Sequence, residues 1–167
     1  MVAAAVEKMI AFYDGDLHDI NHFLKVWAFA KTIGGREGLD AHTLETLELT
    51  AVVHDIACPL CRKKYGDTDG KHQERESAPL VAAFFAEPCF AGADVARISH
   101  IVSHHHTYTG VNGIDYQILL EADFLVNADE SGFSTAAIAV AKERIFRTAA
   151  GVRLLCSMYL EGKDREK

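Results

Sequence analysis

The sequence predicts an all-α chain, a single compact bundle of about six to eight helices. Three observations carry that prediction. Apolar residues recur at the spacing that puts them on one helical face. Helix-start residues stand at regular intervals, with Asp16, Asp40, Asp94 and Ser134 placed as N-caps. No stretch alternates cleanly with period two, so no strand is expected.

The elements follow in order. A first helix covers about Val2 to Phe12. A second opens at Asp16 and runs to Thr32, with Gly34-Gly35 as its stop. Asp40 caps a third, which carries Leu44, Leu47, Ala51 and Val52 and ends before Pro59. Residues 58–72 hold Pro59, Gly66, Asp67, Asp69 and Gly70 and read as an exposed loop with a short turn. Further helices span roughly 73–86, 94–106, 114–128, 134–148 and 151–160, and Thr109 to Gly113 forms a tight connection. The tail from Glu161 to Lys167 is expected to fray. One domain, 1–167, results, with its core over about 16–128 and the helices of 134–160 packed on it.

Composition narrows the function. Nearly half of the 167 residues are apolar and a quarter are charged, which suits a globular protein. No apolar run is long enough to span a membrane, and the start lacks the basic-then-apolar order of a secretory signal, so the expected location is cytoplasmic. A net charge of −7 argues against a nucleic-acid polymer or an anionic membrane as partner. A phosphate substrate would need local positive charge, which a bound dication supplies most directly. Of the four cysteines, Cys58 and Cys61 form a C-x-x-C, but the second pair needed for a structural zinc is missing. Reduced, incidental thiols are expected.

The chemistry-bearing residues sit on apolar helices. His54 and Asp55 end the run Leu49 to Ala57 and offer an imidazole nitrogen beside a carboxylate, a set suited to a divalent metal. Burying two such groups is costly unless something pairs with them. His22 lies beside the stripe of Phe23, Val26, Phe29 and Ala30; alone it would read as a core histidine bonded to backbone. His18 makes an H-x-x-x-H with it but is expected to be solvated. Asp123 interrupts Ile118-Leu119-Leu120 and Phe124-Leu125-Val126, where a carboxylate needs a cation or donors. Its competing explanation is an ion pair with Arg144 or Arg147. Glu121 and Asp129 read as solvated acids.

The order His22, His54-Asp55, Asp123 resembles the HD-domain metal-dependent phosphohydrolases. The likeness runs from about Asp16 to Val126, in Asp19-Ile20-Asn21-His22, Ala51-Val52-Val53-His54-Asp55-Ile56-Ala57, Ile101-Val102-Ser103-His104-His105 and Glu121-Ala122-Asp123. It implies an HD-domain-like helical fold and a divalent cation (Mn, Fe, Co, Ni, Mg or Zn) held by His22, His54, Asp55 and Asp123. It further implies hydrolysis of a phosphoester or phosphoanhydride by metal-activated water. Relatives with two metals add two histidines between the His-Asp pair and the last Asp. His104 or His105 fits the later position, but His72 lies a turn upstream of the earlier one, so one tight metal is favoured over two.

On this reading Asp55 ligates the metal and orients or deprotonates the water, while His104 or His105 binds a phosphate oxygen or protonates the leaving group. Three consecutive histidines cannot all face one way, and His106 reads as a solvated helix end. In the run Arg62-Lys63-Lys64, the residues Lys63 and Lys64, with Arg75 and His72, are the candidates for holding substrate phosphates. Tyr65, Tyr108 and the turn at 107–113 could shape a base or sugar pocket, which makes a nucleotide the preferred substrate. The partner is a small-molecule phosphate, and a homodimer is allowed. Two alternatives stand: a di-iron oxygenase of HD type, which needs a ligand at or near His72, and a non-catalytic metal or nucleotide sensor.

Overall fold

The computed structural model describes residues 1–161. The predicted frayed tail, beyond Glu161, lies outside them. The chain forms helices α1 (Val2–Phe12), α2 (Leu17–Arg36), α3 (Ala41–Val53), α4 (Cys58–Tyr65), α5 (Gly70–Phe84), α6 (Val95–Val102), α7 (Ile114–Glu130), α8 (Thr135–Ile145) and α9 (Ala149–Leu155), with a 3-10 turn at Pro88–Phe90 and a π-turn at Cys156–Leu160. Among the described residues there is no strand, and no helix is long and apolar enough to cross a membrane.

The N-caps act as their residue types require. Asp16, Asp40, Asp94 and Ser134 each accept a hydrogen bond from a backbone N–H of the first helical turn, satisfying donors that a helix start otherwise leaves unpaired. Several boundaries differ from expectation: α5 begins at Gly70, α6 ends at Val102 and α8 at Ile145, and two further differences bear on packing and on the site. Helix α2 runs through Gly34-Gly35 to Arg36, and the chain turns instead at Gly38, where φ is +75°. Gly34 is there for closeness: a Cβ would lie 2.8 Å from Leu44 Cδ1 and 3.1 Å from Leu47 Cδ2. Residues 58–65, expected as loop, form α4. Pro59 sits in its first turn, Gly66 closes it in the left-handed region, and Arg62, Lys63 and Lys64 occupy its last turn. Each residue that suggested a loop is a helix-boundary signal in its proper place.

Helix α2 packs on α3 and α7, and α3 also meets α1, α6 and α7. Two apolar clusters result. One joins Val26, Ile33, Leu47, Leu119, Phe124 and Ile138. The other joins Met9, Phe23, Leu49, Val53, Phe84 and Ile98. Helix α3 serves both, and its residues from Thr46 to Val53 are all buried. A helix covered all round carries no polar face, so its C-terminal end delivers His54 and Asp55 into the interior between the clusters.

Glu121, expected to be solvated, is fully buried. Its carboxylate accepts hydrogen bonds from Arg147 N (2.6 Å), Thr148 N (2.9 Å), Gln117 Nε2 (2.8 Å) and the Thr148 hydroxyl. It thereby anchors the turn before α9 to α7. A Cβ at Gly151 would collide with Glu121 Oε2, so this close approach requires glycine. Arg147 also bonds to backbone carbonyls of α8, and neither it nor Arg144 reaches Asp123.

Candidate metal centre

Three helices bring four residues to one point. His22 comes from α2, His54 and Asp55 from the end of α3, and Asp123 from the middle of α7. His22 Nε2 lies 3.2 Å from His54 Nε2, 3.3 Å from Asp123 Oδ1 and 3.4 Å from Asp55 Oδ2. His54 Nε2 lies 3.5 Å from Asp55 Oδ2 and 3.6 Å from Asp123 Oδ1. His54 is fully buried, and His22 and Asp123 nearly so.

The opposite ring nitrogens fix the tautomers. His54 Nδ1 is 2.8 Å from the Ala51 carbonyl, and His22 Nδ1 is 2.8 Å from Glu130 Oε2. Both partners only accept, so each Nδ1 carries the hydrogen and each Nε2 presents a lone pair. With neutral rings, two nitrogen lone pairs and two carboxylate oxygens therefore face one another. Such a set requires a positive charge at its centre, and two imidazoles with two carboxylates suit a borderline divalent cation. The residues fit the implied metal.

Lacking a metal, the cluster draws a proton. Burial alone would lower the His22 pKa, but the hydrogen bond to Asp123 and the nearby Asp55 and Glu130 outweigh it and raise the value to about 10. Burial would raise Asp123, yet His22 and His54 hold it well below the usual carboxylate range. In the metal-free protein the protonated His22 stabilises the fold fully below its ordinary pKa of 6.5, and that contribution is lost as pH rises through about 10. A metal must displace this proton. Apparent affinity for Mn²⁺ is therefore expected to climb by up to about tenfold per pH unit between 6.5 and 10. A chelator-competition titration at several pH values measures this; a flat profile would contradict the arrangement.

A second group joins the first through Asp55. Its Oδ1 lies 3.3 Å from His105 Nε2, outside hydrogen-bond alignment, so that nitrogen counts as unpartnered. His105 Nδ1 is held by the Val102 carbonyl at 2.7 Å, which again turns a lone pair toward the carboxylate. Ligating atoms of Asp55, His105 and His106 lie within 4.8 Å of one another, as do those of His22, His54 and Asp123. Helix α6 ends at Val102, and the turn that follows lets His105 and His106 enter together. His106, expected to be solvated, packs against the His105 ring at 3.9 Å. His104, one of the two candidates for phosphate or leaving-group work, points outward and bonds to the His100 carbonyl.

His22, Asp55 and Asp123 floor a cleft of about 440 Å³, whose walls include Arg62, Thr68, Gln73, His106 and Asn127. His18, at the cleft edge, is exposed as expected. The residues proposed from sequence for phosphate are not in the lining. Lys63 is exposed, Lys64 pairs with Glu76 at 2.9 Å, and Arg75 lies against Glu76 and the Tyr65 ring. His72 bonds to Asp67 at 2.8 Å and stacks on Tyr65. Because α4 is a helix rather than a loop, 100° per residue turns Lys63 and Lys64 away and leaves Arg62 toward the cleft. Arg62 is held there by Asp19, with Asp16 at 3.4 Å. Tyr65 and Tyr108 stand outside, and the described lining has no Phe, Tyr or Trp.

Three contributors escaped the sequence reading. Asn127 donates to Asp123 at 2.8 Å, and Glu130 holds His22 while pairing with Lys25 at 3.0 Å. They follow Asp123 by four and seven residues, one and two turns along the same face of α7, which is the signal that could have found them. Gln73 carries no such mark. Cys58 lines the cleft, and burial pushes its thiol well up, so it is not a thiolate.

Comparison with known proteins agrees with this architecture. The family model for the HD domain matches residues 19–131. Among solved structures, a predicted HD superfamily hydrolase from an uncultured Thermotogales bacterium is similar in fold, with a TM-score of 0.59 and 24% sequence identity. The match covers 95% of this chain and 83% of that one. No curated protein matches this chain.

Proposed function

Because the chain belongs to the HD-domain family, we propose that it is a metal-dependent phosphohydrolase acting on a small phosphorylated substrate, a nucleotide among the candidates. The observation that carries this reading is the convergence of His54 Nε2 and the Asp55 and Asp123 carboxylates on His22 Nε2, at 3.2–3.4 Å. One divalent cation held by these four residues is the cofactor. When bound, it supplies Lewis acidity to a phosphoryl oxygen and makes a water acidic enough to attack.

The chain's own residues supply the rest. Asp55 is shared between the two groups, so its Oδ1 faces His105 while Oδ2 faces the ligand histidines. That placement lets it orient a water and take its proton. His105 lies behind Asp55; burial opposes its protonation, but Asp55 outweighs it and raises its pKa, so it is the candidate store for that proton. Arg62 replaces Lys63 and Lys64 as the phosphate contact. Arg62→Ala is expected to raise KM for phosphate substrates about tenfold with metal content kept, whereas Lys63→Ala and Lys64→Ala keep the parent KM. The reverse ranking would return the role to the lysines.

The reading is tested by elemental analysis of chelator-free protein together with a hydrolysis panel of nucleoside mono- and triphosphates and simple phosphomonoesters. One bound cation with cleavage of any panel member supports it. The di-iron oxygenase alternative needs a ligand near position 72, and His72 is engaged by Asp67 and Tyr65 outside the cleft. A metal-loaded chain that cleaves nothing would instead favour a sensor.

A further inference from the structure

Two buried polar atoms on the cleft wall have no partner. Gln73 is nearly fully buried on α5; its amide nitrogen donates to the Thr68 carbonyl at 3.0 Å, which leaves Oε1 as an unsatisfied acceptor. His106 Nε2 is likewise buried and unpartnered. Each such atom costs on the order of 1–3 kcal/mol, and native folds seldom keep two beside one cleft without a use. The position of His106 is also built. A Cβ at residue 70 would lie 2.6–2.8 Å from its ring and Cβ, so Gly70 lets the imidazole sit between the α5 start and His105.

The chemistry of the two atoms selects a ligand. A phosphate or carboxylate oxygen cannot satisfy Gln73 Oε1, because both would be acceptors. A hydroxyl, being both donor and acceptor, can satisfy either Gln73 Oε1 or a ring nitrogen in whichever tautomer His106 adopts. We infer that Gln73 and His106 form a subsite for a hydroxyl group of the substrate, adjacent to its phosphoryl group, as a sugar or polyol phosphate presents. This rests on the phosphohydrolase reading and narrows it. It also accounts for a cleft with no aromatic wall: recognition falls on the hydroxyl-bearing part rather than on a stacked ring.

Three matched phosphonates, which bind but are not cleaved, test this on the metal-loaded protein: 3-hydroxypropylphosphonate, butylphosphonate and 3-aminopropylphosphonate. Calorimetry should show the hydroxyl compound binding at least about tenfold more tightly than the butyl one. Gln73→Met and His106→Phe should erase that preference with one equivalent of metal retained, and Gly70→Ala should weaken it by displacing His106. Should Gln73→Met not fold, His106→Phe and Gly70→Ala carry the same test. Equal binding of the hydroxyl and butyl compounds, tightest binding of the amine, absence of binding, or a preference surviving both cleft variants each overturns the subsite. So does a second metal equivalent lost in His106→Phe. A hydroxyl preference without cleavage of 2-hydroxyethyl phosphate or the nucleotides would refute the reaction and leave the subsite standing. Cleavage without the preference would do the opposite.

Discussion

Replacing Asp55 with alanine is expected to remove bound metal and turnover together, while far-ultraviolet circular dichroism keeps its helical signature. The physical reason is the sharing of this one carboxylate. Its Oδ2 completes the set with His22 and His54, and its Oδ1 is the group toward which His105 turns. Loss of a partner outside the ligand set commonly costs 10–100-fold in metal affinity, and a ligand costs more, so a fall beyond about 100-fold is expected. The scaffold should survive because α3 is held by apolar contacts on every side before Asp55 is reached. Elemental analysis after desalting decides the matter. Metal retained at the parent stoichiometry in Asp55→Ala would remove this residue from the site.

Glu121→Ala should behave in the opposite way, losing stability and keeping metal. The variant strips partners from Arg147 N, Thr148 N and the Thr148 hydroxyl; Thr148 is buried. Leaving such donors unpaired costs on the order of 3 kcal/mol or more in sum. At about 2–4 °C per kcal/mol for a domain of this size, Tm should drop by about 6–12 °C. Glu121→Gln, which keeps one acceptor oxygen, should fall less. A calorimetric Tm for Glu121→Ala within about 2 °C of the parent would show that the turn before α9 does not depend on this anchor.

These two acids, two residues apart on α7, show what can be read from a sequence. Asp123 and Glu121 interrupt the same apolar run, yet the sequence pattern reads Asp123 as buried and Glu121 as solvated, although both are buried. Only the order of His22, His54-Asp55 and Asp123 singled out Asp123. The partners of Glu121 lie 26 and 27 residues further on, in a turn whose path no local pattern encodes. The N-caps were legible because capping is a contact within three residues. Helix α4 was not, since Pro59 and Gly66 mark helix ends and loops alike. Reading that segment as loop gave no way to tell which of Arg62, Lys63 and Lys64 faces the cleft. His106 and Gln73 were hidden for a related reason: their meeting depends on how sharply the chain turns after α6 and how closely Gly70 approaches.

The placement of α3 between two apolar clusters has a mechanical consequence. Helices α2 and α6 also supply both clusters, through Val26 and Phe23 and through Ile101 and Ile98, while α7 serves the cluster around Leu119 and α5 that around Phe84. Asp55 stands on the seam. Helices α2, α3 and α6 thus bridge the clusters, so a shift of α5 against α7 is opposed by packing on all three. Whatever occupies both oxygens of Asp55 ties the ligands of α2 and α3 to the turn that follows α6.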